Sequence, residues 1–237
     1  MTQQPEGSPV TAFDRARLAL ANSFDSGTSL CDPFIGLFPV DGAAVSLLGE
    51  RVGQSTVCSS NETAARLDEI QLDSGDGPCW QAMSTRTTVV AADLRAMPDS
   101  SWPGFLDTLR SDPIAGEVGS MYALPLTVGS LEIGAIDLFS SDVGVLTRPQ
   151  LKEATTLARI AAWQVLRRVL SDEVDATHSS GPRREVHQAT GMVLAQLNIS
   201  AQDAELMLRA HAFATGRTVL DVATDVIERR LDFSGEE

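Results

Sequence analysis

The sequence is poor in the residue types on which many catalytic and metal sites depend. Its 237 residues include three histidines, three cysteines and a single lysine. The first histidine is His178, so the long region before it has no imidazole to ligate haem or a metal ion. The cysteines lie 27 and 21 residues apart, which fits neither a zinc site nor a disulfide framework, and we expect reduced packing residues. No catalytic triad, Cys/His pair or phosphate-binding glycine loop can be assembled. We therefore predict a protein without enzymatic activity, metal or cofactor.

Long apolar runs and an excess of positive charge are also missing. No stretch approaches the roughly 18 residues of a membrane-spanning helix, and the N-terminus lacks the basic start and apolar segment of a secretory signal. We expect a cytoplasmic protein with no membrane partner. The formal net charge of −14 excludes a nucleic-acid footprint spread over the whole chain. Residues 181–237 hold six basic and nine acidic residues, a net charge of −3, which is compatible with a local anion-binding surface.

The residue pattern changes near residue 180, where the turn-forming segment His178–Pro182 separates two helical stretches. We predict an α+β fold in three parts. A first domain spans residues 10–170 and includes a long connecting helix, a linker covers 171–182, and an all-α domain of three helices spans 183–235.

The first domain alternates between helical and strand periodicity. Its first helix is predicted within Val10–Phe24, and Asn61 is predicted to cap a helix that runs through Ile70. Strands are predicted at 43–48, 54–59 and 87–91, and a hairpin joins 121–127 to 131–139. Asp137 falls on the buried face of the last strand, where it either pairs with a buried donor or lines a cavity.

The connecting helix is predicted from Thr147 to about Ala176, longer than an ordinary globular helix. Its second half carries apolar residues at Val165, Leu166, Val169 and Leu170. These residues either pair with a second copy as a short coiled coil or pack within the fold, and we expect a homodimer.

The first of the three C-terminal helices has an unusual outer side. Opposite its apolar stripe lie Arg184, His187, Gln188, Gly191 and Ala195. A glycine inside a helix costs about 1 kcal/mol relative to alanine, so Gly191 indicates that another backbone approaches this side. The residues alone do not decide whether that partner is a helix or a nucleic acid.

Four segments of the first domain resemble one sensor fold. In order they read GDGPCWQAM, VVAADL, SWP and LPLTVGSLEIGAIDLFS, and they look like the GAF domains of actinobacterial regulators. The resemblance covers most of residues 10–170 and implies an antiparallel sheet flanked by helices, with a small-molecule cavity near Trp80, Asp93, Trp102 and Asp137. The alternative is that the tryptophans are core residues. The residues with which GAF domains bind cyclic nucleotides are not found, so we do not expect that ligand.

Residues 183–227 are similar to the ANTAR domain, an RNA-binding three-helix module of transcription antitermination regulators. The family pattern is met at ten positions: Arg183, Ala189, Gly191, Ser200, Ala204, Leu208, Arg209, Leu220, Val222 and Ala223. Thr190 stands where many members have lysine, which removes a cation from the expected RNA surface.

The resemblance implies a dimeric regulator that binds RNA stem-loops in a nascent transcript and prevents formation of a terminator. The implied RNA-binding residues are Arg183, Arg184, His187, Gln188, Thr190, Gly191, Arg209 and Arg217. RNA loops suit such a site because their splayed bases can be hydrogen-bonded and stacked. The alternative function is a protein-interaction adaptor, or a small-molecule sensor that acts through a partner rather than through RNA.

Overall fold

A computed structural model of the chain describes residues 11–49, 53–174 and 184–235. Within these ranges the chain forms five strands and ten α-helices. The strands are β1 (Gly42–Gly49), β2 (Gly53–Ser59), β3 (Val89–Ala91), β4 (Ser120–Val128) and β5 (Leu131–Ser140). The helices are α1 (Ala12–Ala21), α2 (Ser23–Ser26), α3 (Asp32–Ile35), α4 (Glu62–Ser74), α5 (Pro78–Thr85), α6 (Pro103–Ser111), α7 (Arg148–Val174), α8 (Arg184–Leu197), α9 (Ala201–Thr215) and α10 (Val219–Ile227). The predicted α+β fold is confirmed.

The strands form one antiparallel sheet in the order β2-β1-β5-β4-β3. The central strand β5 pairs with β4 through the predicted hairpin and with β1 on its other side. Asp137 of β5 lies opposite Ala44 of β1 and Ala123 of β4, in the middle of the sheet. Short strand β3 and strand β2 form the two edges.

Helices cover both faces of this sheet, so alternate residues of each strand enter different cores. Tyr122 and Leu124 of β4 pack in the cluster that contains the buried residues of α1 and α7. Met121 and Ala123 pack on the opposite face, with residues of α4 and α6. The sheet is therefore the middle of three layers, and burial on both faces explains the nearly continuous apolar residues of β4.

Side-chain caps fix the starts of several helices, among them α4, α9 and α10. Asn61 accepts a 2.8 Å hydrogen bond from the Ala64 N–H at the start of α4, as predicted. Ser200 accepts a 3.1 Å bond from the Asp203 N–H, and Thr218 forms a capping box with Asp221. Each cap satisfies an N–H group that has no partner within its own helix.

The second domain consists of α8, α9 and α10 around a small apolar core. Val186, Ala189 and Val193 of α8 are buried against Val222 and Val226 of α10. The helix α7 that precedes this domain continues to Val174, four residues into the range predicted as a linker. The rest of that range, 175–182, lies outside the described residues. Across the described ranges, every helix is too short or too polar to cross a membrane.

Candidate functional site

The outer side of α8 is the first candidate surface. His187, Gln188 and Gly191 are exposed on it, and Arg184 is the first residue of the helix. A Cβ atom added at Gly191 would meet no atom within 4 Å. Packing within the described residues therefore does not require this glycine, and the open space leaves room for an approaching partner. Arg183 lies outside the described residues.

Thr190 lies at the margin of that side. Its hydroxyl donates a 2.8 Å hydrogen bond to the Val186 carbonyl one turn earlier, and the side chain is half-buried. This internal bond satisfies the hydroxyl within its own helix. Thr190 consequently supplies neither the cation of the family pattern nor a free donor.

The two other arginines of the predicted site lie apart from the α8 side, on α9 and after it. Arg209 forms a 2.8 Å ion pair with Glu205, one turn earlier on α9. Arg217 forms a 2.6 Å ion pair with Asp225, which also binds Arg230 at 2.6 Å. Hydrogen bonds from Arg217 and then Arg230 hold the pKa of Asp225 below its ordinary value. The described structure thus divides the predicted RNA residues between two surfaces.

Both arginines line a cleft between the two domains. The cleft has a volume of about 770 Å³ and is bordered by α4 and α6 of the first domain and by α9 of the second. Phe213 and Leu206 of α9 also line it and are 83% and 62% exposed. Exposed large apolar side chains of this kind are typical of binding surfaces. Sequence analysis missed both residues, although the spacing of 206, 209 and 213 puts them on one side of a helix.

A second cavity lies in the first domain beside α5. It is a groove of about 730 Å³ that contains Trp80 and Trp102 in its lining, with Met83 and Met97. The Trp80 indole N–H donates to the Gln71 carbonyl at 2.7 Å, and the Trp102 indole N–H donates to Gln81 Oε1 at 2.8 Å. Trp102 is almost fully buried, whereas Trp80 is half-buried at the groove. Each tryptophan therefore both makes a hydrogen bond within the fold and contributes to the lining of the groove.

The two aspartates that were predicted near this cavity lie elsewhere. Asp93 is exposed, and its carboxylate caps the short turn 94–96 by accepting from the Arg95 N–H at 3.2 Å. Asp137 is buried beneath α4, where Oδ2 accepts a 2.6 Å hydrogen bond from Gln71 Nε2. Of the two alternatives for Asp137, pairing with a buried donor or lining a cavity, the structure therefore shows the first. Neither aspartate borders the groove.

Asp137 belongs to a buried polar cluster under α4. Asp68 accepts hydrogen bonds from Ser46 of β1 and Thr56 of β2, and Gln71 Oε1 accepts from the Cys79 N–H at 2.9 Å. Burial, followed by the nearby charge of Asp68, raises the pKa of Asp137 to about 8. Burial is also the main cause that raises the pKa of the Cys79 thiol, which is free. The Cys79 thiol is therefore protonated at neutral pH, which does not suit a nucleophile.

Within the described part of the chain, histidine, cysteine and acidic side chains form no group of three that would hold a metal ion. Cys31 and Cys58 are free thiols, as is Cys79.

Comparison with known proteins assigns a resemblance to each domain. Residues 181–227 match the family model of the ANTAR domain. The GAF domain of a phosphoenolpyruvate-protein phosphotransferase from Coxiella burnetii is 11% identical to this chain and superposes on it with a TM-score of 0.53. The superposition covers 72% of this chain and 100% of the Coxiella domain. A search of curated proteins found no match to the chain.

Two further solved structures are similar at lower TM-scores. The GAF domain of an Acinetobacter phosphoenolpyruvate-protein phosphotransferase is 11% identical, covers 65% of this chain and 92% of its own, and has a TM-score of 0.49. The free methionine-R-sulfoxide reductase of Neisseria meningitidis is 15% identical and has a TM-score of 0.47. The match covers 71% of this chain and 99% of the reductase. The Coxiella structure establishes the GAF fold of the first domain, and a shared fold does not assign a function.

Proposed function

We propose that the protein is a signal-responsive RNA-binding regulator. Its GAF domain is the sensor, and its ANTAR-like domain binds stem-loops in nascent transcripts and promotes transcription antitermination. In this role the protein is a cytoplasmic regulator and not an enzyme. The observation that carries the proposal is the exposed side of α8, because Gly191 opens onto free space within a segment that matches an RNA-binding family.

The groups on this side of α8 suit RNA. Gln188 has both a donor and an acceptor for a base edge, and Arg184 supplies a guanidinium for phosphate. Gly191 lets the RNA backbone come close to the helix because it has no side chain. The acidic first domain, which carries most of the net charge of −14, repels RNA that does not fit this side. Recognition therefore depends on the shape and loop contacts of the hairpin.

The direct test is binding of the full-length protein to a paired-hairpin RNA, measured by gel shift and fluorescence anisotropy. Gln188→Ala and Arg184→Glu should weaken binding about tenfold or more, since each removes a polar or charge-assisted contact. Gln202→Ala is the control for Gln188→Ala, because Gln202 is an exposed glutamine on another helix, α9, and its loss should leave binding unchanged. Binding should also weaken with salt, with a log–log slope of about −0.7 for each phosphate contact in single-stranded segments.

Gly191 allows a sharper version of this test. Replacement by leucine places a side chain in open space, so the domain should fold and gain up to about 1 kcal/mol of helix propensity. The same side chain should obstruct the RNA. Increased thermal stability together with weaker RNA binding is the expected result. Unchanged binding by Gly191→Leu, or no hairpin binding by the wild type, would favour the protein-interaction adaptor instead.

The sensor input is a small molecule held in the groove beside Trp80 and Trp102. Aromatic and thioether groups with a few polar neighbours are typical of small-ligand sites. Mass spectrometry of molecules retained by the purified protein tests this part of the proposal. A Trp80→Ala variant should retain less of any such molecule than the wild type does.

The dimer contact is the outer face of α7. Trp163 and Leu170 on this face are 57% and 53% exposed, and they lie seven residues apart on the same side of the helix. Val165 packs in the core of its own chain and is not available to a second copy, while Leu166 and Val169 are only partly buried against that core. Two copies joined along α7 would present two ANTAR-like domains to a pair of hairpins.

A further inference from the structure

Arg209, one of the arginines predicted from the sequence to bind RNA, is already bound within the chain. The Arg209 guanidinium donates from Nη2 to the Gln54 side-chain oxygen of strand β2. The same nitrogen donates to Glu205 of α9 at 2.8 Å. These acceptors come from both domains, so Arg209 is directed towards the first domain rather than towards solvent.

The turn after α4 supports this arrangement. Gly75 ends α4 in the left-handed conformation at φ +65°, and a Cβ atom added there would lie 2.9 Å from Arg209 Nη1. A side chain at position 75 would therefore displace the guanidinium. The absence of one lets Arg209 lie against the backbone of the sensor domain.

A second contact lies at the start of α10. The Val219 N–H donates a 3.3 Å hydrogen bond to Oδ2 of Asp73, the penultimate residue of α4. Val219 is the first residue of α10, so its N–H has no acceptor within its own helix. The carboxylate of Asp73 also lies at the positive end of that helix dipole, where a negative charge is favourable.

These contacts lie beside the exposed side of α9. Leu206, Arg209 and Phe213 line the cleft of about 770 Å³ against α4 and α6. The cleft holds the guanidinium and the exposed aromatic ring of the second domain close to the sensor. The Arg209 side chain is only 20% exposed in this arrangement, so little of its guanidinium is left to contact an RNA phosphate.

We infer that Gln54, Asp73 and Gly75 of the sensor, with Arg209 and Val219 of the second domain, form an autoinhibitory clamp. The inference rests on the proposed RNA-binding function and adds its regulation. In the closed state the sensor occupies Arg209, and RNA binds the second domain with all its contacts only after the clamp opens. RNA affinity is then reduced by the fraction of molecules in which the clamp is closed.

The clamp connects to the tryptophan groove through a single turn of α4. Gln71 accepts the indole N–H of Trp80 with its backbone carbonyl and is followed two residues later by Asp73. A molecule that moves Trp80 therefore acts on the helix end that holds Val219. This places the sensor input and the clamp on one element of the fold.

The test compares full-length variants in hairpin binding. Gln54→Ala removes the neutral acceptor without changing the charge, and RNA should bind about three- to tenfold tighter. Gln54→Glu replaces it with a charged acceptor and should weaken RNA binding by a similar factor. Ser59→Glu is the matched charge control, because it adds the same charge to an exposed position of the same strand.

Gly75→Ala tests the close approach of Arg209. Its added methyl group should displace the guanidinium and raise RNA affinity. Gly27→Ala is its control, since Gly27 also ends a helix at φ +67° but has no atom within 4 Å of a Cβ atom. Both substitutions carry the same backbone strain, and only Gly75→Ala should change RNA binding.

Amide exchange measured by NMR provides a readout that does not require RNA. In the wild type the Val219 amide should be protected by Asp73, and Gln54→Ala and Gly75→Ala should accelerate its exchange. The Asp221 amide, which donates to Thr218 at 3.1 Å within its own helix start, is the internal reference and should not change.

The possible failures are distinguishable. If every variant binds the hairpin with wild-type affinity, the clamp is overturned and the proposed function stands. If no variant binds RNA although Val219 exchange rises as expected, the proposed function is overturned. The inhibitory role of the clamp is then overturned as well, because there is no RNA binding to inhibit. Rapid Val219 exchange in the wild type overturns the clamp directly.

Discussion

Asp137 provides the most demanding test of the buried chemistry of the sensor domain. Its Oδ2 atom accepts a 2.6 Å hydrogen bond from Gln71, whereas Oδ1 has no partner among the described residues. Burial and the charge of Asp68 raise its pKa to about 8, against about 3.9 in an unfolded chain. The carboxyl group is therefore mostly protonated at neutral pH in the folded protein.

The sign of the pH dependence follows from that difference. Because the folded pKa is the higher one, the folded state binds the proton more tightly, and stability falls as pH rises from about 4 to about 8. The slope in this window is about 1.4 kcal/mol per pH unit. The wild type should lose about 3 kcal/mol from this group between pH 5 and pH 7. Asp137→Asn keeps the shape without the titration and should remove that loss.

The measurement is urea unfolding of wild type and Asp137→Asn at pH 5, 6 and 7. Tryptophan fluorescence reports the sensor domain alone, because Trp80, Trp102 and Trp163 are the only tryptophans of the chain. The difference in unfolding free energy should shift in favour of the variant by about 3 kcal/mol over this range. The exposed Asp142→Asn is the control and should follow the wild-type pH dependence.

Parallel stability curves for wild type and Asp137→Asn would refute the reasoning. They would mean that Asp137 stays ionised in the folded protein, with water or a counter-charge in contact with Oδ1. A carbonyl infrared band of the protonated acid, lost in the variant, gives an independent check of the protonation state at neutral pH.

Three further predictions concern local contacts. Thr218→Ala removes the capping box of α10 and should lower the thermal stability of the second domain by about 1 kcal/mol, measured by circular dichroism, with Thr218→Ser as the variant that restores it. Trp163→Asp with Leu170→Asp should yield a monomer by light scattering, and a dimer of unchanged stability would exclude the outer face of α7. Hydrogen bonds from Ser141 and Ser140 lower the pKa of Asp41. This carboxylate should therefore add stability above its unfolded pKa that is lost at more acidic pH, and Asp41→Asn should show a smaller loss on acid titration.

Local signals in the sequence were sufficient for most of the secondary structure. Asn61 caps α4 as predicted, and Ser200 and Thr218 cap α9 and α10 in the same way, because a helix start leaves N–H groups that a nearby side chain satisfies. The β4–β5 hairpin and the apolar stripes of the C-terminal helices also follow from short-range patterns. The match of each domain to a fold rests on this same local information.

Local patterns predicted some of the site residues and missed others. The open side of α8 was readable, because helical periodicity places 184, 187, 188 and 191 together. The sequence did not predict that Asp93 lies away from the groove. Its carboxylate caps the three-residue turn 94–96, and the sequence pattern did not indicate that turn. Phe213 was overlooked because an apolar residue in an amphipathic helix is usually part of the core, and only the packing of three helices leaves it 83% exposed.

The sequence by itself therefore determined which segments fold and which two families they resemble, through periodicity, capping and turn chemistry that act over a few residues. Tertiary structure alone decided that Asp137 pairs with Gln71 and that Arg209 contacts Gln54. Gln71 lies 66 residues from Asp137, and Gln54 lies 155 residues from Arg209. Contacts over such separations are set by how the sheet, α4 and α9 pack, because no local pattern records which side chains the packed layers bring together.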